Sequence, residues 1–338
     1  MPVRTVDPQE RRANEMPETL DYTGDKGYKL VDVLDKKVSM EEFIAQISEE
    51  DLIAIFRGEG MCSPKVTAGT AAAFGGVTDG LTALGIPVGC CSDGPSGIRM
   101  DCGTKAFSLP NGTSFGCTFN VELVGALYEM TGKELRLNKI DSLLGPGMNI
   151  HRSPLCGRNY EYYSEDPYLS GMLAAAVIRG VQSKSGCGVT IKHFACNNQE
   201  DNRMGVNSCV SERALREIYL RGFEIAVKEG NPVSIMTSYN LINGIHAANS
   251  KDLCMTVARK EWGFDGAIMS DWNTTVPEDG SVPWKCVAAG NDIIMPGNPD
   301  DDKNIRQAYK EGKLTEEEIR NCAGHLVSMI RRLERTDC

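Results

Sequence analysis

The sequence predicts an α/β fold, and within that class a single large (β/α)8 TIM-type barrel domain. Short apolar runs alternate with longer amphipathic segments, and each strand-plus-helix unit takes roughly 30–45 residues, as in parallel α/β folds. Six candidate strands fall within about 250 residues, which favours a barrel over a doubly wound sheet. No GxGxxG motif follows a strand, which argues against a dinucleotide-binding fold.

The candidate strands are short, mainly apolar runs, as expected for strands that are buried on both faces of a parallel sheet. Most of them end at a polar, glycine or proline residue. They comprise residues 87–91, 142–144, 189–191, 233–236, 266–269 and 292–294.

Helical patterns separate these strands. Residues 168–183 are rich in Ala and Leu, and residues 211–228 place apolar side chains on one face before a glycine at 230. Ser/Thr-x-x-Glu capping boxes predict the starts of an early helix and of the final helix, at Ser39/Glu42 and Thr315/Glu318.

The first 30 residues differ from the rest of the chain. They are rich in charged residues, Pro and Gly and show no helical or strand period, so residues 1–30 are predicted to be an N-terminal tail or interdomain linker. Residues 31–338 are predicted to form the barrel domain.

Composition narrows the classes of ligand. The net charge of −10 argues against a nucleic acid or anionic membrane partner and is compatible with a neutral ligand such as a sugar. No apolar run approaches the roughly 20 residues that cross a bilayer, and the N-terminus lacks an apolar signal-peptide core. The 13 cysteines show no zinc-type pairing. We therefore expect a cytoplasmic protein with reduced cysteines and with neither metal nor organic cofactor.

Ionisable and aromatic side chains follow several of the candidate strands. Any one of them is as easily a turn or capping residue, but the carboxyl ends of barrel strands meet at one mouth, where catalytic groups lie. We therefore expect them to share one site: Asp93, Lys192, His193, Tyr239 and Asp271.

Five motifs around these residues resemble those of glycoside hydrolase family 3, in the order found in that family and across about residues 40–300. They are Ser-Asp-Gly-Pro-Ser-Gly-Ile-Arg at 92–99, Gly-Arg-Asn-Tyr-Glu-Tyr-Tyr-Ser-Glu-Asp-Pro at 157–167, Lys-His-Phe at 192–194, Met-Thr-Ser-Tyr-Asn at 236–240, and Trp-Gly-Phe-Asp-Gly at 262–266 followed by Ser-Asp-Trp at 270–272.

The resemblance implies a retaining β-glucosidase that hydrolyses terminal β-D-glucosyl residues of glucosides or oligosaccharides. Asp271 would attack the anomeric carbon and form a covalent glycosyl-enzyme. Lys192, Arg158 and Arg99 would hold that carboxylate ionised and bind sugar hydroxyls.

The same resemblance assigns further contacts to the sugar. Asp93 and His193 would bind hydroxyls, and Tyr239 would orient the nucleophile. Met236 and Trp272 would form apolar walls, although core packing is the alternative for both. For Arg203 a surface salt bridge is an equal alternative, while Glu161 is expected to fix its own loop.

A departure at residues 195–198 favours the glucosidase or xylosidase branch. The N-acetylglucosaminidase branch has Pro-Gly-His-Gly after Lys-His-Phe, whereas this chain has Ala-Cys-Asn-Asn. In the glucosidase branch the acid/base Glu comes from a separate α/β sandwich domain, so we expect that domain, or a partner chain, to supply it. Should the acid lie within this sequence, Glu200 is the first candidate. The alternatives are a catalytically incomplete sugar-binding barrel and a Schiff-base lyase that uses Lys192.

Overall fold

The fold is a closed barrel of strands surrounded by helices, which confirms the predicted class. A computed structural model describes residues 6–184 and 186–333. Seven strands form one continuous sheet in the order β1-β2-β3-β4-β5-β7-β10. These strands are β1 (Glu59–Gly60), β2 (Ala72–Gly75), β3 (Val88–Asp93), β4 (Ser142–Leu144), β5 (Gly188–Phe194), β7 (Ser234–Thr237) and β10 (Ala267–Met269).

An eighth position closes the barrel between β10 and the start of the sheet. Ile293 forms a parallel bridge with Met269, and Ile294 forms one with Arg57, just before β1. This closing segment is one of the six runs predicted from the sequence, and the other five correspond to β3, β4, β5, β7 and β10.

One strand of the barrel runs against the others. β2 pairs antiparallel with both β1 and β3, whereas the pairs from β3 through β10 are parallel. The parallel strands therefore direct their carboxyl ends to one mouth. A small separate sheet, β6 (Asn207–Ser208), β8 (Leu241–Ile242) and β9 (Ile245–His246), lies in the loops after β5 and β7.

Helices cover the outside of the barrel. They are α1 (Pro8–Asn14), α2 (Leu30–Leu34), α3 (Met40–Ala45), α4 (Glu49–Ala54), α5 (Asp79–Ala83), α6 (Gly112–Gly116), α7 (Val121–Leu137), α8 (Pro167–Gln182), α9 (Glu212–Ala214), α10 (Arg221–Ile225), α11 (Pro283–Ala289), α12 (Pro299–Lys310) and α13 (Glu316–Leu333). π-Helical segments at Leu215–Tyr219 and Ala226–Gly230 extend α9 and α10, and another covers Asp252–Glu261. Both predicted capping boxes are present.

Two apolar clusters hold the helices against the barrel. One joins α3, α4, α11 and α13 to the strands where the barrel closes. The other joins α7, α8 and α10 to β4 and β5. Together they leave the mouth of the barrel free for polar side chains.

The segment predicted as a tail or linker contains a helix that packs on the barrel. In α1, Arg11 forms an ion pair with Asp252, and Arg12 pairs with the buried Glu318 of α13 at 2.5 Å. The guanidinium of Arg12 also lies over the Trp284 ring. No periodic pattern marks this helix in the sequence, because it has only seven residues and no buried side chain.

Candidate active site

A polar cavity of about 440 Å³ opens at the carboxyl ends of the parallel strands. All ten site residues predicted from the sequence line it: Asp93, Arg99, Arg158, Lys192, His193, Arg203, Met236, Tyr239, Asp271 and Trp272. They come from the ends of β3, β5, β7 and β10 and from the long loop after β4. The mouth of the barrel thus brings together residues that are far apart in the sequence.

An ion pair crosses the cavity wall between β3 and β5. The ammonium of Lys192 donates to Asp93 Oδ1 at 2.6 Å, and the lysine is buried while the aspartate is 40% exposed. Burial by itself would raise the pKa of Asp93, but the charge and hydrogen bond of Lys192, with the Gly94 N–H and Arg158, lower it overall. Asp93 is therefore an ionised acceptor in the cavity.

Asp271 follows β10 and is buried in the cavity. Its Oδ1 accepts a hydrogen bond from the Trp272 N–H at 2.7 Å, while Oδ2 has no hydrogen-bond partner among the described residues. Burial raises the pKa of Asp271, and Lys192, the Trp272 N–H, Arg158 and the neighbouring Tyr239 hydroxyl only partly counter this. The cations were expected to hold the pKa of Asp271 low, but the effect of its burial outweighs theirs.

His193 lies beside Asp271 and is fully buried. Its Nε2 is 3.8 Å from Asp271 Oδ2. Burial, together with the positive charges of Arg158, Lys192 and Arg203, holds the pKa of His193 well below its ordinary value. The imidazole is therefore neutral and has one N–H to donate.

Two arginines complete the charged wall. Arg158 pairs with the buried Glu161 at 2.6 Å, which fixes the loop after β4 as expected for Glu161. Arg203 pairs with Glu200 at 3.0 Å and also lies 4.4 Å from the centre of the Tyr239 ring. Arg203 thus forms the salt bridge considered as its alternative role and still lines the cavity.

The remaining predicted residues lie at different depths. Arg99 is at the rim, 64% exposed, and donates to Asp101 at 3.1 Å, so its charge is paired with that carboxylate. Met236 is buried in the core and also faces the cavity. The Tyr239 hydroxyl lies next to Asp271, but it donates to the Trp272 carbonyl at 2.8 Å, and it thereby ties β7 to the residue after the carboxylate.

Several lining residues were not predicted. Met61, Gly69 and Ala71 come from the loop between β1 and β2, two strands that the sequence did not reveal. Asp101 lies two residues after Arg99, and this spacing was the available signal for it. Tyr160 is inside a quoted motif but had no predicted role.

A second cavity of about 450 Å³ lies at the opposite end of the barrel. Its walls are mainly apolar, with Phe74, Ile330 and Leu333 among them, and Asp141 is its titratable side chain. Within residues 6–184 and 186–333 no cluster of three or more His, Cys, Asp or Glu side chains is arranged to hold a metal. No helix in that part of the chain has the length and apolarity to span a membrane.

An eight-stranded barrel that collects carboxylates, cations and aromatic rings at the carboxyl ends of its strands is an enzyme scaffold, and these side chains suit a polyhydroxylated ligand. The chain belongs to glycosyl hydrolase family 3, because the model of that family's N-terminal domain matches residues 23–329. This confirms the family inferred from the five motifs.

Proteins similar to this chain include named β-glucosidases. The β-glucosidase of Ruminococcus albus is 52% identical over 97% of this chain and 35% of its own length. The structure of a β-glucosidase from Paenibacillus barengoltzii superposes with a TM-score of 0.93 at 51% identity, covering 98% of this chain and 37% of that one. The structure of β-glucosidase 3B from Thermotoga neapolitana, solved with α-D-glucose, superposes with a TM-score of 0.79 at 40% identity, covering 86% of this chain and 42% of that one. The chain thus spans about a third of the length of the relatives it matches.

Proposed function

We propose that this chain is the nucleophile-bearing domain of a retaining β-glucosidase that hydrolyses terminal β-D-glucosyl residues through a covalent glycosyl-Asp271 intermediate. Membership of glycosyl hydrolase family 3 and the names of the similar proteins support the class of reaction. A glucose-bound relative at 40% identity supports a glucose-sized ligand.

The observation that carries the proposal is the state of Asp271. One carboxylate oxygen is fixed by a main-chain N–H, while the other is buried in the cavity with no partner among the described residues. A buried acceptor without a partner costs free energy, so such an atom is expected to have a function. An oxygen in this position is suited to attack an anomeric carbon.

The proposed reaction has two displacements. The Asp271 carboxylate forms a bond to the anomeric carbon as the bond to the leaving oxygen breaks, and an acid gives that oxygen a proton. Water then attacks the same carbon, gives its proton to the same group, and releases Asp271. Asp93, Lys192 and His193 would bind the hydroxyls of the glycosyl ring, by charge-assisted hydrogen bonds in the case of the two charged groups.

We further propose that the acid comes from outside residues 6–333. Within the cavity Asp93 is bound to Lys192, Glu161 to Arg158 and Asp101 to Arg99. Glu200 is also engaged, because its two oxygens accept from Asn197 and Arg203. The matched relatives are nearly three times longer, which leaves room for a further domain such as the expected sandwich, or for a partner chain with that role.

Hydrolysis of two substrates by the chain alone tests both proposals. An activated aryl β-glucoside needs little acid assistance, so the chain should release its aglycone, while cellobiose should be hydrolysed far more slowly. Adding the rest of the protein should restore hydrolysis of cellobiose. Equal rates on cellobiose with and without it would place the acid inside this chain. Glucose binding with no aglycone release would favour the incomplete sugar-binding barrel.

We also propose a cytoplasmic location. Cys62, Cys102 and Cys117 are exposed free thiols. Such thiols persist in reducing compartments. Cell fractionation with a tagged full-length protein checks this, and recovery from the culture medium would contradict it.

A further inference from the structure

We propose that Tyr162 is a positioning residue that holds His193 in the tautomer with its proton on Nε2. The hydroxyl of Tyr162 donates its hydrogen to Nδ1 of the imidazole, and Asn197 and Glu200 determine the direction of that hydrogen bond. The role in catalysis rests on the proposed β-glucosidase function, whereas the tautomer itself does not.

The directions of the hydrogen bonds in this network are determined at Glu200, which accepts at both of its oxygens. One of its oxygens accepts from the Arg203 guanidinium at 3.0 Å, and the other lies 3.0 Å from Nδ2 of Asn197. A carboxylate paired with a guanidinium only accepts hydrogen bonds. Asn197 must therefore turn its amide nitrogen, and not its oxygen, toward Glu200.

The same amide nitrogen fixes the role of the Tyr162 hydroxyl. Nδ2 of Asn197 is also 2.9 Å from Oη of Tyr162, and an NH₂ group has a second hydrogen for it. Both residues are buried, at 1% and 0% exposure. Oη therefore accepts from Asn197, and its own hydrogen remains to be donated.

His193 Nδ1 is the acceptor for that hydrogen. It lies 3.0 Å from Oη of Tyr162. If Nδ1 carried a proton instead, two hydrogens would face each other and a buried O–H or N–H would lose its partner, which is costly. A neutral imidazole that accepts at Nδ1 has its proton at Nε2.

Contacts to the main chain and to the ring of His193 hold the residue in place. The side chain of Asn149 accepts from the His193 N–H and donates to its carbonyl, both at 2.8 Å. The ring of Tyr162 meets the imidazole edge-on, with centroids 6.0 Å apart. The network therefore presents an N–H at Nε2 toward Asp271 Oδ2, 3.8 Å away, where it can donate to a sugar hydroxyl or to the developing ester.

Nitrogen NMR of the chain labelled with ¹⁵N-histidine tests the tautomer directly. The sequence has four histidines, so the spectrum of His193→Gln assigns the signals of His193 by their loss. In the ligand-free wild-type chain, Nδ1 should have the shift of an unprotonated acceptor and Nε2 that of a protonated nitrogen. A protonated Nδ1 would overturn the proposal, even if Tyr162→Phe cannot be purified.

The variant Tyr162→Phe removes only the hydroxyl. The Nδ1 signal should move away from its hydrogen-bonded position, with the second tautomer appearing. Labelling of the chain by a 2-deoxy-2-fluoroglucoside should slow about tenfold, the equivalent of one hydrogen bond. Tyr163→Phe is the matched control, since Tyr163 is the next residue and is also buried, and it should change neither measurement.

The two proposals fail separately. Unchanged His193 signals in Tyr162→Phe would refute the positioning role, whatever happens to labelling. Correct His193 signals in a wild-type chain that takes no label at Asp271 would instead refute the proposed reaction and leave the tautomer established.

Discussion

Replacing Lys192 with Met tests the ion pair on which the charge balance of the cavity depends. The ammonium is 2.6 Å from Asp93 Oδ1, with the lysine side chain 4% exposed and the aspartate 40% exposed. Breaking a fully buried pair costs about 3–5 kcal/mol, and the exposure of Asp93 reduces this to about 2 kcal/mol. For a chain of this length the entropy of unfolding is about 0.7 kcal/mol/K, so a loss of about 2 kcal/mol in the free energy of unfolding lowers Tm by about 3 °C.

Calorimetry at neutral pH measures this shift, and Lys184→Met supplies a matched control. Lys184 binds Glu129 at the same distance of 2.6 Å, but on the outer surface between α7 and α8. A surface pair contributes little to stability, so the control should change Tm much less. Equal shifts in the two variants would refute the importance of burial.

The dependence of the shift on pH has a definite sign. Although burial alone would raise the pKa of Asp93, Lys192 lowers it in the folded chain, so this stabilisation is present above the unfolded pKa of about 3.9. It is lost as the pH falls through the lowered folded value. The difference in Tm between wild type and Lys192→Met should therefore shrink below about pH 4. A difference independent of pH would contradict the ion-pair explanation.

Three further variants test other parts of the structure. Burial raises the pKa of Asp271, so its ionised form destabilises the fold at neutral pH. Asp271→Asn should therefore raise Tm by about 1 °C at pH 7 and should not raise it at acidic pH, where the carboxyl group is protonated. A lower Tm at pH 7 would contradict this. Arg259→Met breaks a pair with the fully buried Asp292 at 2.5 Å. It should lower the free energy of unfolding, measured by urea titration, by about 3 kcal/mol. A loss below about 1 kcal/mol would contradict a stabilising role for this buried pair. Gly94→Ala places a Cβ 1.7 Å from the Gly97 carbonyl oxygen, at a residue whose φ is +131°, so it should distort the loop after Asp93. Glucose binding measured by calorimetry should weaken at least about tenfold. Unchanged affinity would show that this loop does not position the sugar.

The sequence predicted the parallel part of the barrel because its strands are apolar runs that end in polar residues. The sequence did not predict β1 and β2, and the reason is physical. Glu59–Gly60 is polar and only two residues long, and Ala72–Gly75 contains no β-branched residue, so pairing with the rest of the barrel makes them strands. The cavity residues that were missed, Met61, Gly69 and Ala71, lie in the loop that these strands define.

The ten predicted residues line one cavity, but their pairing could not be read from the chain. Lys192 and Asp93 are 99 residues apart, and nothing in either motif indicates that the ammonium binds this carboxylate and not Asp271. Arg99 was expected to act on the nucleophile, yet the nearby Asp101 holds it at the rim. The balance between burial and charge at Asp271 likewise depends on packing that the sequence does not specify.

Mass spectrometry after incubation with a 2-deoxy-2-fluoroglucoside tests the nucleophile most directly. The fluorine slows breakdown of the intermediate, so a chain that reacts as proposed should gain the mass of one fluoroglucosyl group, on the peptide that contains Asp271. Asp271→Asn should gain none. An adduct on another peptide, or labelling that survives this substitution, would contradict the assignment.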